Sequence, residues 1–122
     1  MNSKQKGKQG ELELAHILKT YGYDAKRSVQ YNGKDGQADV LGLPKIHIEC
    51  KRVEKLNIYD AIEQAKRDAK NSDIPTVFHR KNRHNWLVTM GIDDFMFFYK
   101  CYEIYKKLDE YVEKNTEGSN EH

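Results

Sequence analysis

The sequence predicts an α/β (α+β) single domain with the element order αβββαββα, and three observations carry that expectation. Apolar residues recur at helical spacing in three segments. Short runs suited to strands fill the intervals between them. At 122 residues the chain has material for one hydrophobic core but not two.

The first segment, residues 4–21, places Leu14, Ile17, Leu18 and Tyr21 on one face, and Gly22 stands where such a helix would stop. Gly7 and Gly10 weaken its opening turns. Residues 25–30 read as extended and lead into the loop 31–37, whose two glycines predict mobility. Residues 38–43 and 45–52 read as two strands joined tightly at Pro44, an antiparallel hairpin. Ile58, Ala61, Ile62, Ala65 and Ala69 define a second amphipathic helix, ended by Asn71-Ser72-Asp73 and blocked by Pro75. Residues 76–79 and 85–89 follow as strands around the basic turn 80–84. The aromatic-rich stretch from Ile92 to Val112 predicts a third helix, with Asp93 and Asp94 suited to its first turn. Phe95, Met96, Phe97, Phe98, Tyr99, Tyr102, Tyr105, Leu108 and Tyr111 are more than one helix face can hide. Some are expected in the core and the rest on an exposed homodimer surface. Residues 113–122 have nothing to bury and are expected to form a disordered acidic tail beyond a domain at 1–112.

The net charge of +2 hides an asymmetry. Residues 1–102 carry 18 Lys/Arg against 13 Asp/Glu, whereas residues 103–122 carry three against six. A basic body leans toward a polyanionic partner. Mean hydropathy is −0.92, and no apolar run approaches the roughly 18 residues of a membrane span. No secretory signal is apparent, so a cytoplasmic protein is expected, with Cys50 and Cys101 as two buried free thiols. His47, His79 and His84 lack the convergent spacing of a zinc site. Of these, His47 is expected to lie solvent-exposed on a strand face. Trp86 is expected in the core.

The segment with chemical content is 39–51. Side chains alternate along a strand, so His47, Glu49 and Lys51 project to one side and Ile46, Ile48 and Cys50 to the other. A hairpin pivoting about Pro44 sets Asp39 opposite Glu49, with Cβ atoms about 5 Å apart. Two carboxylates so placed repel unless a cation lies between them. They suit a hard divalent ion such as Mg²⁺, with the Cys50 backbone carbonyl as a further ligand. Lys51 would reach the attacking water or a phosphate oxygen and stabilise developing charge. These are the parts of metal-assisted phosphodiester hydrolysis. The same pattern also fits a solvated hairpin face bearing ordinary surface ion pairs.

The run Lys6-Gly7-Lys8-Gln9-Gly10-Glu11, then Lys26-Arg27-Ser28, Asp39 and Ile48-Glu49-Cys50-Lys51, resembles the PD-(D/E)xK nuclease superfamily. More narrowly, it resembles the archaeal-type Holliday junction resolvases, a type also found in phages. The resemblance spans about residues 6–88. It implies a restriction-endonuclease-like fold, a mixed central sheet flanked by helices, and a homodimer that nicks opposing strands of branched double-stranded DNA in recombination and repair. It also implies Mg²⁺ as cofactor, with Mn²⁺ as substitute and no small-molecule cofactor. Residue by residue, Glu11 matches the helix glutamate that supports the metal indirectly. Asp39 and Glu49 match the metal-binding carboxylates, and Lys51 the catalytic lysine. Arg27 and Ser28 match positions that contact DNA phosphates, and Gln64 a helix glutamine of relatives. Lys6, Lys8, Lys34, Arg52, Arg80, Lys81 and Arg83 complete the expected nucleic-acid-binding set, with Lys4 a further candidate. Leu12 stands where many archaeal resolvases carry arginine, and the loop 31–37 is longer than theirs. Two other readings stay open: a restriction- or repair-type endonuclease, and a catalytically silent DNA-binding protein with the same fold.

Overall fold

The computed structural model describes residues 2–29 and 37–120. Lys34 and most of the loop expected to be mobile lie outside them. The chain divides into two compact units, Met1–Gly91 and Ile92–His122.

The first unit begins with helix α1, Ser3–Thr20, capped by Asn2, whose side chain accepts from the Gln5 amide at 2.9 Å. Gly22, at φ 96°, takes the left-handed turn just beyond it. Strands β1 (Lys26–Arg27), β2 (Val40–Leu41) and β3 (Ile46–Arg52) follow. Helix α2, Ile58–Asp68, crosses from β3 to β4 (Ile74–Arg80), and β5 is Leu87–Met90. The sheet runs β1-β2-β3-β4-β5, antiparallel except for the parallel β3–β4 pair. This is the expected mixed sheet. The parallel pair requires a crossover, and α2 supplies it.

Alternation along the strands divides the core in two. Val40, Ile48 and Phe78 face α1 and pack with Leu14, Ala15, Leu18 and Ala25. Val77 faces α2 and packs with Ala61 and Ala65. Trp86 is half-buried against the α1 side, where its Nε1 donates to Glu13 at 2.7 Å. Ile17 is half-buried, and Tyr21 is fully outside the helix and exposed.

Two glycines have steric reasons. A Cβ on Gly10 would lie 2.7 Å from Arg52 Cβ, so the glycine lets α1 approach β3. Gly42, at φ 130°, passes so close to β1 that a Cβ would fall 2.6 Å from Ala25 Cα. The hairpin turns through Leu43–Ile46, with the Ile46 amide donating to the Leu43 carbonyl at 3.1 Å and Lys45 at φ 72°. Proline at the second position of such a turn presets its φ.

The second unit is helix α3, Ile92–Asn120. It is helical over 113–120, where the sequence predicts disorder. No proline interrupts it, and Glu103–Lys107 and Glu110–Lys114 are oppositely charged at i,i+4. Its aromatic residues do not enter a core either. Phe98 is the least exposed of the large apolar residues on α3, at 38%, because the unit contains no second element to cover them. Phe95, Tyr99 and Tyr102 instead contact one another along the helix, with centroids 6.4 and 6.0 Å apart. Cys101 is exposed on the same helix rather than buried.

Candidate active site

The β2–β3 register decides which side chains meet. Val40 pairs with Ile48, and one further step sets Asp39 opposite Glu49. Since Val40 and Ile48 belong to the α1-side core, Asp39 and Glu49 lie on the α2 side. His47 and Lys51 alternate onto that side too.

Asp39 Oδ2 accepts from the Cys50 amide at 2.8 Å, which fixes the carboxylate against β3. Glu49 is 2% exposed. Its Oε1 lies 3.6 Å from Lys51 Nζ and its Oε2 lies 3.7 Å from His47 Nε2. The second contact is within ion-pair range but too long for a hydrogen bond. Lys51 Nζ donates to Gln64 Oε1 at 3.0 Å, so α2 aims the ammonium from above the strand.

The two carboxyls titrate as a pair. Burial pushes Asp39 up, the charge of Glu49 pushes it further, and the Cys50 amide offsets only part of this, leaving it at about 7. Burial also raises Glu49, but His47, Asp39 and Lys51 outweigh that and hold it below the ordinary carboxylate value. Below neutrality Asp39 is therefore the protonated member and Glu49 the ionised one, a dyad sharing one proton. A buried, opposed carboxylate pair beside an amine is a donor set that fits a divalent cation, which would displace that proton.

Other expected site residues have partners that sequence alone does not reveal. Glu11 Oε2 accepts from Arg27 Nε at 2.9 Å, so a residue expected at the metal and one expected at DNA are bound to each other. Ser28 is 5% exposed, and its hydroxyl has no partner among the described residues. Its amide donates to the Asp39 carbonyl, which tucks the side chain beneath the sheet edge. The DNA contact expected of Ser28 would require that hydroxyl to become accessible. Lys6 pairs with Glu54 at 3.2 Å. Arg52 Nη2 donates to Asn82 Oδ1 at 3.3 Å. Arg80 is held by Glu13 at 2.8 Å and lies 6.0 Å over the Trp86 ring. Lys4, Lys8, Lys81 and Arg83 are exposed. Cys50 packs its side chain toward the α1 core, where burial pushes the thiol far up.

His47 is 3% exposed, contrary to the solvent-exposed position expected. Alternation put it on the Glu49 face, but not under the end of α2. Asp68, on α2, was not anticipated. Its signal was present, since it follows Gln64 by one helical turn. His79 lies beside Thr89, with Nε2 and Oγ1 2.8 Å apart, and burial lowers its pKa.

A family model described as "Phage putative PDDEXK endonuclease" matches residues 2–118. No curated protein matches the sequence. Among solved structures, the fold is similar to that of Hjc from Archaeoglobus fulgidus, described as a Holliday junction resolvase from an archaeal hyperthermophile. The TM-score is 0.55 at 21% identity, over 69% of this chain and 76% of that one.

Proposed function

This chain belongs to the phage PDDEXK endonuclease family, and on that premise we propose that it resolves four-way DNA junctions as a homodimer by Mg²⁺-dependent phosphodiester hydrolysis. The observation carrying the reading is the buried opposition of Asp39 and Glu49 with the Lys51 ammonium on the same face. Asp39 and Glu49 would hold the cation, with the Cys50 carbonyl beside them and Glu11 nearby. When bound, the cation supplies Lewis acidity to the scissile phosphate. Lys51, fixed between Glu49 and Gln64, orients the attacking water and neutralises charge building on phosphorus. Glu11, although paired with Arg27 at 2.9 Å, still adds its charge to the upward push on Asp39.

Among the described residues, Lys4, Lys8, Lys81 and Arg83 are the exposed cations of the expected set, and sequence-independent grip on phosphates is their proposed task. Lys6, Arg27, Arg52 and Arg80 reach DNA in this reading only by exchanging their present partners. The apolar residues of α3 are the surface we assign to the second copy. Among the described residues no helix is long and apolar enough to cross a membrane, and host cytoplasm is the proposed place of action.

The test offers a synthetic four-way junction and its component duplexes to the wild-type chain and to Glu49→Gln, with Mg²⁺ and a sizing measurement alongside. Paired nicks in the junction, lost in the variant and weak on the duplexes, are the expected result. Equal cleavage of duplex and junction would point instead to a restriction- or repair-type enzyme, and undiminished cleavage by the variant would eliminate the mechanism.

A further inference from the structure

A second group of donors converges on the same side of the sheet. A His47 ring nitrogen, a Glu49 carboxylate oxygen and an Asp68 carboxylate oxygen lie within 4.8 Å of one another. Two features there are hard to explain as packing. His47 is almost fully buried, yet its Nε2 has no hydrogen-bond partner among the described residues, Glu49 Oε2 standing off at 3.7 Å. Asp68 is the last residue of α2, where the unpaired carbonyls carry partial negative charge and disfavour a carboxylate.

We propose that His47, Glu49 and Asp68 form a binding site for a divalent first-row transition ion, adjacent to the Asp39–Glu49 pair and sharing Glu49 with it. The shared carboxylate can serve both sides because its oxygens diverge: Oε2 faces His47 while Oε1 faces Lys51. Three donors sharing one ion at about 2.1 Å each, at tetrahedral angles, lie about 3.4 Å apart. The widest spacing therefore closes by about 1.4 Å when the ion binds, a movement of the order that a torsional change at half-buried Asp68 supplies. An ion there answers both features at once, taking up the orphaned nitrogen and countering the acid at the helix end. The imidazole decides its class. Nitrogen donors select transition ions, whereas Mg²⁺ prefers oxygen and keeps its waters. The two halves of the site would therefore differ in preference, Asp39–Glu49 for a hard ion and His47–Glu49–Asp68 for a softer one.

This inference goes beyond the nuclease reading and is tested without DNA, so failure of junction cleavage leaves its test intact. The full metal-free chain is loaded with one and two equivalents of Mn²⁺ in about tenfold excess Mg²⁺, and pulsed electron paramagnetic resonance reads ¹⁴N coupling to the bound ion. Nitrogen coupling is expected in the wild type and in Asp39→Asn, and its loss in His47→Gln. Asp68→Asn, at a half-exposed position with little folding risk, is expected to weaken the Mg²⁺-resistant Mn²⁺ binding at least tenfold. No nitrogen coupling in the wild type would overturn the proposal. So would coupling that persists in a folded His47→Gln, since it would belong to another histidine, or unchanged Mn²⁺ affinity in Asp68→Asn.

Discussion

Replacing Asp39 by asparagine should stabilise the metal-free protein at alkaline pH while abolishing its capacity to cut DNA. Asparagine keeps the shape and an oxygen for the Cys50 amide, which donates to Asp39 at 2.8 Å, but removes the charge facing Glu49. In the wild type, burial and Glu49 lift the Asp39 carboxyl from 3.8 to about 7. At about 1.4 kcal/mol per unit, that rise corresponds to a ceiling of about 4 kcal/mol. The sign follows from where the proton is held more tightly. A carboxyl raised in the folded chain retains its proton longer there than in the unfolded chain. Its favourable contribution is complete below pH 3.8, declines as pH climbs, and is gone above about 7. Between pH 5 and pH 8 the wild type should thus lose up to about 3 kcal/mol that Asp39→Asn does not lose. Urea unfolding of both proteins in EDTA at the two pH values measures the difference. Mg²⁺ should close most of that gap at pH 8, because it stabilises only the protein that binds it, by about 2.7 kcal/mol at a hundred times its Kd. An Asp39→Asn advantage that is the same at pH 5 and pH 8 would refute the claim that these carboxyls oppose each other in a buried site.

Three further outcomes follow from the geometry. Lys51→Met should lower single-turnover junction cleavage by about 10²–10³-fold, while junction binding in Ca²⁺, measured by gel shift, changes only a few-fold. Gly42→Ala should destabilise by about 3 kcal/mol in urea unfolding, because φ is 130° and the new Cβ would sit 2.6 Å from Ala25 Cα. Replacing Lys81 and Arg83 together by alanine should weaken junction binding and reduce the slope of log affinity against log salt by about 1–2. An unchanged slope would place the phosphate contacts elsewhere.

The residues that sequence reading located well are those governed by local periodicity. Asp39 meets Glu49 because the chain alternates on both arms and turns at Pro44, all of which is written between residues 39 and 49. The α2 face is legible for the same reason: small apolar residues at 61 and 65 leave one stripe that must be covered, and Val77 covers it. The third helix was legible as a helix, but not its continuation through residues 113–120. Continuing a helix depends on the balance of propensity and i,i+4 charges, without any burial to announce it.

Charges were the least legible feature, and the physical reason is that a sequence states the sign of a side chain but not its neighbour. Arg27 lies 16 residues from Glu11, and Arg80 lies 67 from Glu13. Each read as a free cation available to phosphate until folding supplied a carboxylate. The pairing changes what a basic surface means here. Cations already compensated by carboxylates must break a contact before they can hold DNA, so their net contribution is smaller and more dependent on salt than the +5 balance of residues 1–102 suggests. His47 shows the converse. Strand parity correctly assigned its face, but the end of α2 turned a surface position into a buried one. Beside Glu49 and Asp68 its Nε2 is a buried nitrogen in need of a partner.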